Sequence, residues 1–287
     1  MTEASFLPTV RTVADLRAQV AAWRRDGLRV AMVPTMGALH AGHLSLVTLG
    51  LEKADRVVAS VFVNPTQFAP HEDFDSYPRG EGRDAELLAG AGCNLLFAPK
   101  VGEMYPEGFA TTVNVSTGVS EPLEGQSRPH FFGGVATVVS KLLNQCRPDV
   151  AIFGEKDYQQ LLVIKRMARD LDLGVEILGG PTEREADQLA MSSRNAYLTP
   201  EERQMASALP LAMAQAVESL RAGEAVSAVE SRARAILSEA GFRQIDYVEV
   251  RDGETLERLG PGAVEAGARV FVAAWMGKTR LIDNWGV

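Results

Sequence analysis

The sequence predicts an α/β protein in which a parallel β-sheet with helices on both faces is followed by a smaller α+β domain. Short β-branched apolar runs alternate with segments of helical periodicity through roughly the first 180 residues. Parallel neighbouring strands need crossover connections, so this alternation is typical of a parallel sheet covered by helices. The pattern changes after Gly179, Gly180 and Pro181, where helical segments and then β-like runs follow.

The first domain is predicted over residues 1–182. An apolar run at 28–34, a helical segment at 44–53 and a second run at 56–63 form a β-loop-α-β unit. The remaining elements predicted here are strands at 95–99, 150–153 and 175–178 and helices at 135–146 and 158–171. This succession predicts a Rossmann-like catalytic domain, whose ligands bind at the carboxyl ends of the strands.

The second domain is predicted over residues 183–287. Its helices are expected at 200–220 and 225–240, with Gly223 and Gly241 as the residues that stop them. Runs at 244–250, 269–275 and 279–283 are expected to pair as antiparallel strands.

Composition excludes several classes of function. The chain has 287 residues, 46% of them hydrophobic, which is enough for a sizeable core. Its 37 acidic against 29 basic residues give a net charge of -8, which disfavours a nucleic-acid partner. Cys93 and Cys146 have no short Cys-Cys spacing, so we expect neither disulfides nor a zinc site. We expect no targeting or membrane segment and a cytoplasmic location.

A glycine-containing turn follows the first predicted strand and leads into its helix. His40 and His43 lie three residues apart at the helix start, so both rings can share one face and donate N–H groups to phosphates. Gly37 lets the backbone pass close to a nucleotide, and Gly42 leaves room beside the rings. A bare His-x-x-His pair is more often an incidental surface feature, so its place directly after a strand matters.

Two later segments have the chemistry of a phosphate site. Residues 154–157 follow the strand at 150–153, and Lys156 can bind phosphate oxygens as a point charge. Asp157 is equally well explained as a helix cap. Residues 191–194 offer two hydroxyls and the Arg194 guanidinium for a departing pyrophosphate, although a tripeptide Ser-Ser-Arg is usually a solvated loop or a cap.

The His-x-Gly-His form resembles the signature of the nucleotidylyltransferase superfamily, whose members attack the α-phosphate of ATP. No Walker-type Gly-Lys-Ser motif is present in the sequence, which argues against γ-phosphoryl transfer. Together with four further motifs, the chain resembles the pantoate:β-alanine ligase (pantothenate synthetase) family almost end to end. These motifs are Val61-Phe62-Val63-Asn64-Pro65-Thr66-Gln67-Phe68, Tyr77-Pro78-Arg79, Lys156-Asp157-Tyr158-Gln159-Gln160 and Leu281-Ile282-Asp283-Asn284.

The resemblance implies a two-step reaction: ATP and pantoate form pantoyl adenylate and pyrophosphate, and the β-alanine amine then displaces AMP. It implies Mg²⁺ with ATP as substrate, no organic prosthetic group, no membrane partner and a homodimer. The catalytic residues that it implies are His43, His40, Lys156 and Arg194, with His43 as proton donor. The ATP-binding residues that it implies are Met36, Gly37, Ala38, Leu39, His40, Ala41, Gly42, His43, Gly154, Glu155, Lys156, Asp157, Glu183, Met191, Ser192, Ser193 and Arg194.

The resemblance also implies that Gln67 and Gln160 bind pantoate and that Gln67 lies where β-alanine enters. Neutral amides can hold the acid's hydroxyls without neutralising its nucleophilic carboxylate. Judged without the resemblance, both glutamines are expected on the surface, one after a turn and one on a helix. For Asn64 and the turn at 77–79, two explanations stay open: loop structure and support of the substrate pocket.

Three positions depart from the family pattern. Phe131 occupies the slot of a family histidine, Glu183 replaces a small apolar residue at a position associated with ATP, and Gln188 replaces a glycine. If the Glu183 side chain points inward, its charge opposes the ATP phosphates. Two alternatives to a ligase therefore stay open: a nucleotidylyltransferase that releases a stable conjugate, and a nucleotide-binding protein without turnover. A purely structural protein is the least favoured, since it leaves the phosphate-binding groups without a purpose.

Overall fold

The computed structural model describes residues 7–69, 74–75, 77–116, 118–264 and 266–287. Its backbone contacts divide the chain into two units. Unit 1 comprises Met1–Ser116, Arg128–Glu155 and Gln160–Pro181, and unit 2 comprises Thr117–Ser127, Lys156–Gln159 and Thr182–Val287. Unit 2 thus includes two short segments that the sequence had placed in the first domain. Within the described residues, no helix is both long enough and apolar enough to cross a bilayer.

Unit 1 is built on a six-stranded sheet in which every pairing is parallel, in the order β1-β4-β3-β2-β5-β6. The strands are β1 (Thr9–Val10), β2 (Val30–Thr35), β3 (Arg56–Val61), β4 (Leu95–Phe97), β5 (Val150–Gly154) and β6 (Glu176–Gly180). The parallel sheet is confirmed. The five strands predicted in this region exist, with ends shifted by up to two residues, whereas β1 was not predicted.

Helices cover both faces of this sheet. They are α1 (Val13–Arg25), α2 (Ala41–Lys53), α3 (Glu81–Gly90), α4 (Val101–Met104), α6 (Phe131–Cys146) and α7 (Tyr158–Asp170). Four consecutive β2 residues, Val30, Ala31, Met32 and Val33, have no exposed surface. Since successive side chains of a strand point to opposite faces, both faces of β2 are covered. The predicted helices correspond to α2, α6 and α7, while α1, α3 and α4 were missed.

Unit 2 contains the antiparallel sheet β7 (Gln244–Asp252), β8 (Ala268–Met276) and β9 (Thr279–Gly286), in that order. Its helices are α5 (Glu124–Ser127), α8 (Pro200–Met205), α9 (Ala208–Arg221) and α10 (Val226–Glu239). The predicted antiparallel strands are confirmed. Gly223 and Gly241 follow α9 and α10 with φ of 83° and 91°, the left-handed region in which glycine ends helices readily.

The single helix predicted over 200–220 is wrong, because the chain forms two helices there. A continuous helix would put the Pro210 ring against the carbonyl of Ala206, four residues earlier, and would leave that carbonyl without its amide donor. The structure avoids this clash by starting α9 at Ala208, so that Pro210 lies in the first turn, where proline is tolerated.

A buried charge cluster in unit 2 joins the segment around α5 to the sheet. The Arg280 guanidinium forms two bonds of 2.7 and 2.8 Å to the Glu124 carboxylate, and its Nε donates to Asp246 at 2.7 Å. The Tyr247 hydroxyl donates to Glu124 at 2.7 Å. Burial, followed by the Glu124 charge, raises the pKa of Tyr247, so this hydroxyl keeps the proton that it donates.

One helical glycine in unit 1 permits a close backbone approach. A Cβ atom on Gly134 in α6 would lie 2.5 Å from the carbonyl oxygen of Thr66 and 2.8 Å from the Cα of Gln67. Neither atom belongs to a flexible side chain, so the backbone of the 65–67 turn would have to move. By contrast, a Cβ on Gly82 in α3 meets no atom within 4 Å.

We therefore expect opposite effects from the same substitution in two helices. Gly134→Ala should lower the free energy of unfolding by about 1–3 kcal/mol through overpacking. Gly82→Ala should raise it by up to about 1 kcal/mol, because alanine costs less backbone entropy in a helix. Urea denaturation of both variants measures the difference, and equal stabilities would contradict the close packing at Gly134.

Candidate active site

The candidate site begins at the carboxyl ends of two adjacent strands, β2 and β5. Strands β3 and β4 continue from β2 in one direction and β6 continues from β5 in the other, so the strand order reverses between β2 and β5. Ligands of open α/β sheets bind at such a reversal. The segment starting at Met36 follows β2, and Glu155 follows β5 directly.

His40 and His43 form a capping box at the start of α2. His40 is the N-cap, and its Nδ1 accepts the Gly42 N–H at 3.2 Å. Nδ1 of His43 accepts the His40 N–H at 3.3 Å, and the ring centroids lie 4.2 Å apart. A nitrogen that accepts an N–H carries no proton, so each neutral ring carries its proton at Nε2. The box therefore sets the tautomer of both rings and makes Nε2–H the donor that each can offer.

A buried carboxylate on α3 supports the turn before these histidines. Asp84 is 2% exposed, and its two oxygens accept the N–H groups of Ala38 at 3.0 Å and Leu39 at 2.9 Å. Gly37 has φ of 85°, and a Cβ there would lie 2.9 Å from the Asp84 carboxylate. The Gly37 N–H is accepted by the Thr35 hydroxyl at 3.2 Å. The backbone N–H groups of Gly37, Ala38 and Leu39 in this turn are thus all bonded to protein side chains.

Gln67 is oriented by Asn64, the N-cap of the 3₁₀ turn Pro65–Gln67. Asn64 is 1% exposed and donates to the Gln67 amide oxygen at 3.0 Å. Its own oxygen accepts from the Tyr105 hydroxyl at 2.7 Å, and burial raises the pKa of Tyr105. The Gln67 NH₂ group then lies 3.1 Å from the Met36 sulfur, at the first predicted ATP-binding residue. Gln67 is 8% exposed, so the expectation of a surface position is wrong.

Phe131, which stands where the family pattern is expected to have a histidine, packs against Arg128 beside the Pro65–Gln67 turn. The Arg128 guanidinium lies over the Phe131 ring at 3.9 Å, a cation–π geometry, and donates to the Gln67 carbonyl at 3.2 Å. Phe131 is buried and also contacts the Phe132 ring, with centroids 5.1 Å apart. The substitution therefore has a structural role in this chain.

Of the other predicted ATP-binding residues, Gly154 and Glu155 lie in unit 1 and the rest lie in unit 2. Lys156 is half-buried in the 3₁₀ turn Glu155–Asp157, and its backbone carbonyl accepts the Asn284 amide at 2.9 Å. Ser192 caps the 3₁₀ turn Ser193–Tyr197 by accepting the Arg194 N–H at 3.2 Å. A capping role, one of the explanations open for this serine beside a solvated loop and a pyrophosphate contact, is therefore confirmed.

The sequence is similar to that of known proteins over almost its whole length. A family model described as Pantoate-beta-alanine ligase matches residues 8–286. The chain is 63% identical to the Pantothenate synthetase of Caulobacter vibrioides over 279 residues, covering 97% of this chain and 98% of the relative. It is also 63% identical to that of Paramagnetospirillum magneticum, with 97% of each chain covered.

The chain belongs to the pantoate–β-alanine ligase family.

Solved structures of this family agree in fold. The crystal structure of Pantothenate Synthetase from Thermus thermophilus has a TM-score of 0.92 at 48% identity, covering 98% of this chain and 99% of that one. The Pantoate-beta-alanine Ligase from Francisella tularensis, solved with beta-gamma ATP and beta-alanine, has a TM-score of 0.79 at 30% identity, with 98% and 97% covered. The α/β fold class with a second α+β part is therefore confirmed.

At Glu183 and Gln188, two of the positions that depart from the expected family pattern, the structure shows what the backbone does. Glu183 is exposed, and its carbonyl accepts the Met191 N–H at 2.9 Å, so its side chain does not point into the protein. Gln188 has φ of 69°, in the left-handed region that suits glycine. Holding a residue other than glycine there costs about 1–2 kcal/mol.

The structure brings together only some of the predicted residues. Met36, the turn to His43, Gln67 and Gln160 belong to unit 1, where Gln67 contacts Met36. Lys156, Asp157, Glu183 and residues 191–194 belong to unit 2.

Two further predicted positions can be compared with the structure. Gln160 is half-buried in the first turn of α7, so its predicted surface position is only partly confirmed. Arg79 donates to three carbonyls of its own loop, those of Phe74, Asp75 and Tyr77, which indicates loop structure for this motif.

Sequence reasoning missed Asp84 and gave Asn64 little weight. Asp84 stands 46 residues after Ala38 on a helix that was not predicted, and an Asp in a first helical turn is normally explained by the helix dipole. Asn64 precedes a proline, which indicates a turn without revealing that the side chain is buried.

We expect Asp84→Asn to weaken the turn. Its amide offers one acceptor instead of two and turns an NH₂ group toward a backbone N–H, which costs about 1–3 kcal/mol of stability. Displacement of the turn should lower kcat/KM for ATP by about 10–10²-fold. Glu81→Gln on the same helix is the matched control: its ion pair with Arg11 is half-exposed, so stability should change by about 0–1 kcal/mol. Equal ATP kinetics in the two variants would contradict the role of Asp84.

Proposed function

We propose that this chain catalyses the ATP-dependent condensation of (R)-pantoate with β-alanine to pantothenate, AMP and pyrophosphate, through an enzyme-bound pantoyl adenylate. Its family is a ligase family, and the Francisella tularensis member was solved with beta-gamma ATP and beta-alanine. The observation that carries the proposal is the His40–His43 capping box at the start of α2, which fixes two N–H donors on adjacent rings.

In the first step a pantoate carboxylate oxygen attacks the α-phosphorus of ATP. The bond from this phosphorus to the bridging oxygen breaks, and its electron pair leaves with pyrophosphate. Negative charge grows on the phosphate oxygens during the transfer. Donors held in place before the reaction stabilise that charge without reorganising. His40 and His43 supply such donors through Nε2–H, and the backbone capping bonds keep their rings in position. His43, the proposed proton donor, shares its Nε2 hydrogen with a phosphate oxygen through a hydrogen bond and keeps it, because pyrophosphate leaves as an anion.

Gln67 and Gln160 bind pantoate. The Gln67 amide oxygen is engaged by Asn64, so its NH₂ group is the end that can donate to a pantoate hydroxyl. A neutral donor leaves the carboxylate charged and nucleophilic, which attack on phosphorus requires. In the second step the β-alanine amine, entering at Gln67, attacks the acyl carbon; the acyl–oxygen bond breaks, AMP leaves, and the nitrogen releases one proton.

Unit 2 supplies the cationic groups of this mechanism. Lys156 and Arg194 bind the phosphates, with the hydroxyls of Ser192 and Ser193 beside them. Glu183, Met191, Gly154, Glu155 and Asp157 complete the proposed ATP contacts. Mg²⁺ would be held chiefly by ATP oxygens, as is usual for this ion. A homodimer in the cytoplasm, with no nucleic-acid partner, completes the proposal.

The test of the function is a product assay of the purified protein. With ATP, Mg²⁺ and pantoate it should release pyrophosphate, and adding β-alanine should produce AMP and the amide. Pyrophosphate release without an amide would instead identify a nucleotidylyltransferase. ATP binding without turnover would identify an inactive binding protein.

We expect two substitutions of His43 to separate its capping role from its chemical role. Glutamine at the N3 position of a helix can accept the N-cap N–H, so His43→Gln should keep the melting temperature of the wild type. His43→Ala loses the acceptor and about 0.5–2 kcal/mol. Both should lose about 10²-fold or more in pyrophosphate release. Full activity in His43→Gln would show that the imidazole serves only as a cap.

The second unit is proposed to close over ATP, because the charged groups in unit 2 and the histidines in unit 1 act on one nucleotide. We expect ATP with pantoate to reduce the radius of gyration measured by small-angle scattering. Pantoate alone is the control and should leave the scattering curve unchanged. Identical curves with and without both substrates would contradict closure.

A further inference from the structure

Two adjacent polar residues on strand β9 are buried in unit 2. Asp283 is 3% exposed and Asn284 is 4% exposed. Successive side chains on a strand point to opposite faces, so the two serve different neighbours. Buried polar groups are retained where they have partners, and their partners therefore show what each residue holds in place.

Asn284 holds the backbone of Lys156. Its NH₂ group donates to the Lys156 carbonyl at 2.9 Å, while its amide oxygen accepts from the Arg269 guanidinium. That guanidinium lies 3.9 Å above the Tyr158 ring, two residues after Lys156. One amide therefore links β8 and β9 to the turn from which the Lys156 side chain starts. Only a group with both a donor and an acceptor can make these two bonds.

Asp283 holds the segment that leads to Ser192. Its carboxylate forms two bonds with Arg184, at 2.7 and 3.0 Å, and accepts the Trp285 indole N–H at 3.1 Å. Arg184 also donates to the Gln188 carbonyl at 3.0 Å, and its guanidinium lies over the Trp285 ring at 4.6 Å. The Asp283 side chain has no exposed surface, so this ion pair is shielded from solvent on one side.

The segment held by Arg184 is a short hairpin. Arg184 bridges Ala190 across it, and the Glu185 N–H donates to the Leu189 carbonyl at 2.8 Å. Asn195 closes the far end by donating to the Glu185 carboxylate at 2.8 Å and to the Ala190 carbonyl at 3.1 Å. The residues between Ala190 and Asn195 are those proposed to grip pyrophosphate, so their backbone is held at both ends.

We propose that Asp283 and Asn284 are positioning residues for ATP: Asn284 sets the place of Lys156, and Asp283 sets the place of residues 192–194. This inference rests on the proposed function. Neither side chain touches the reacting atoms. Each fixes the backbone from which a cationic side chain reaches the phosphates, and a shift of about 1 Å in such a group can cost about 10²-fold in rate.

The test is Asn284→Asp, which keeps the size of the side chain and its bond to Arg269 but replaces the donor with a second acceptor facing the Lys156 carbonyl. KM for ATP should rise about tenfold or more and pyrophosphate release should slow, with KM for pantoate unchanged. The matched control is Asn144→Asp, since the exposed Asn144 amide also donates to a backbone carbonyl, that of Ser140, at 2.9 Å. Asn144→Asp should keep wild-type kinetics.

A double-mutant cycle with Lys156→Ala separates positioning from general damage. If Asn284 acts through Lys156, adding Asn284→Asp to Lys156→Ala should change turnover by less than about twofold. Fully additive losses, or an unchanged KM for ATP in a folded Asn284→Asp protein, overturn the inference. If Asn284→Asp does not fold, Asn284→Ala replaces it in the same cycle. Wild-type protein assayed beside the variants distinguishes failure of this inference from failure of the proposed function. If the wild type forms no amide, the proposed function is refuted as well.

The role of Asp283 is tested by removing the charge first from Asp283 and then also from its partner Arg184. Asp283→Asn alone leaves the Arg184 guanidinium without its counter-ion and should lower the melting temperature. Adding Arg184→Gln removes that charge and should restore the melting temperature, while the hairpin stays unclamped. A positioning role predicts that KM for ATP stays at least about tenfold raised in the double variant. Recovery of both stability and KM would show that Asp283 is only structural.

Discussion

The turn before α2 and the start of this helix depend on side chains that accept five backbone N–H groups. Side chains satisfy them in sequence: Thr35 for Gly37, Asp84 for Ala38 and Leu39, His43 for His40, and His40 for Gly42. In a phosphate-binding loop of the Walker type, such amides point at the ligand instead. Here two of these amides orient imidazole rings, so in the proposed mechanism the Nε2–H groups of the two rings take the place of backbone donors.

This arrangement explains the spacing of the histidine motif. An N-cap side chain reaches the N–H groups two or three residues on, and the N3 side chain reaches back to the N-cap N–H. Histidines at both places satisfy the helix start and bring their rings to a centroid distance of 4.2 Å. At position 37, before both histidines, the left-handed φ and the nearby Asp84 carboxylate exclude a side chain. Helix capping and the proposed catalytic role are therefore both served by histidines at these two positions.

Local patterns were sufficient for most strands and for the motifs, whereas helices α1, α3 and α4, strand β1 and several long-range contacts were missed. Periodicity predicted the strands from β2 to β9, but a two-residue strand such as β1 has no period to detect. The segment around Glu124 is bound to the rest of unit 2 by Arg280, which lies 156 residues later and donates to the Glu124 carboxylate. No local pattern reveals such a contact. The burial of Gln67 also could not be predicted locally, because it follows from the close approach of α6 at Gly134.

The distribution of charge gives unit 2 its part in the proposed mechanism. The chain is acidic overall at -8, and the carboxylate of Asp84 lies against the very turn proposed to bind ATP. Neutral imidazoles can direct hydrogen bonds but cannot offset several phosphate charges, whose repulsion from a nearby carboxylate grows as water is excluded. The compensating cations, Lys156 and Arg194, belong to unit 2, together with the strand that holds their segments. In the proposed mechanism the nucleotide is therefore neutralised only when both sets of residues bind it, which makes ATP binding and assembly of the catalytic groups one event.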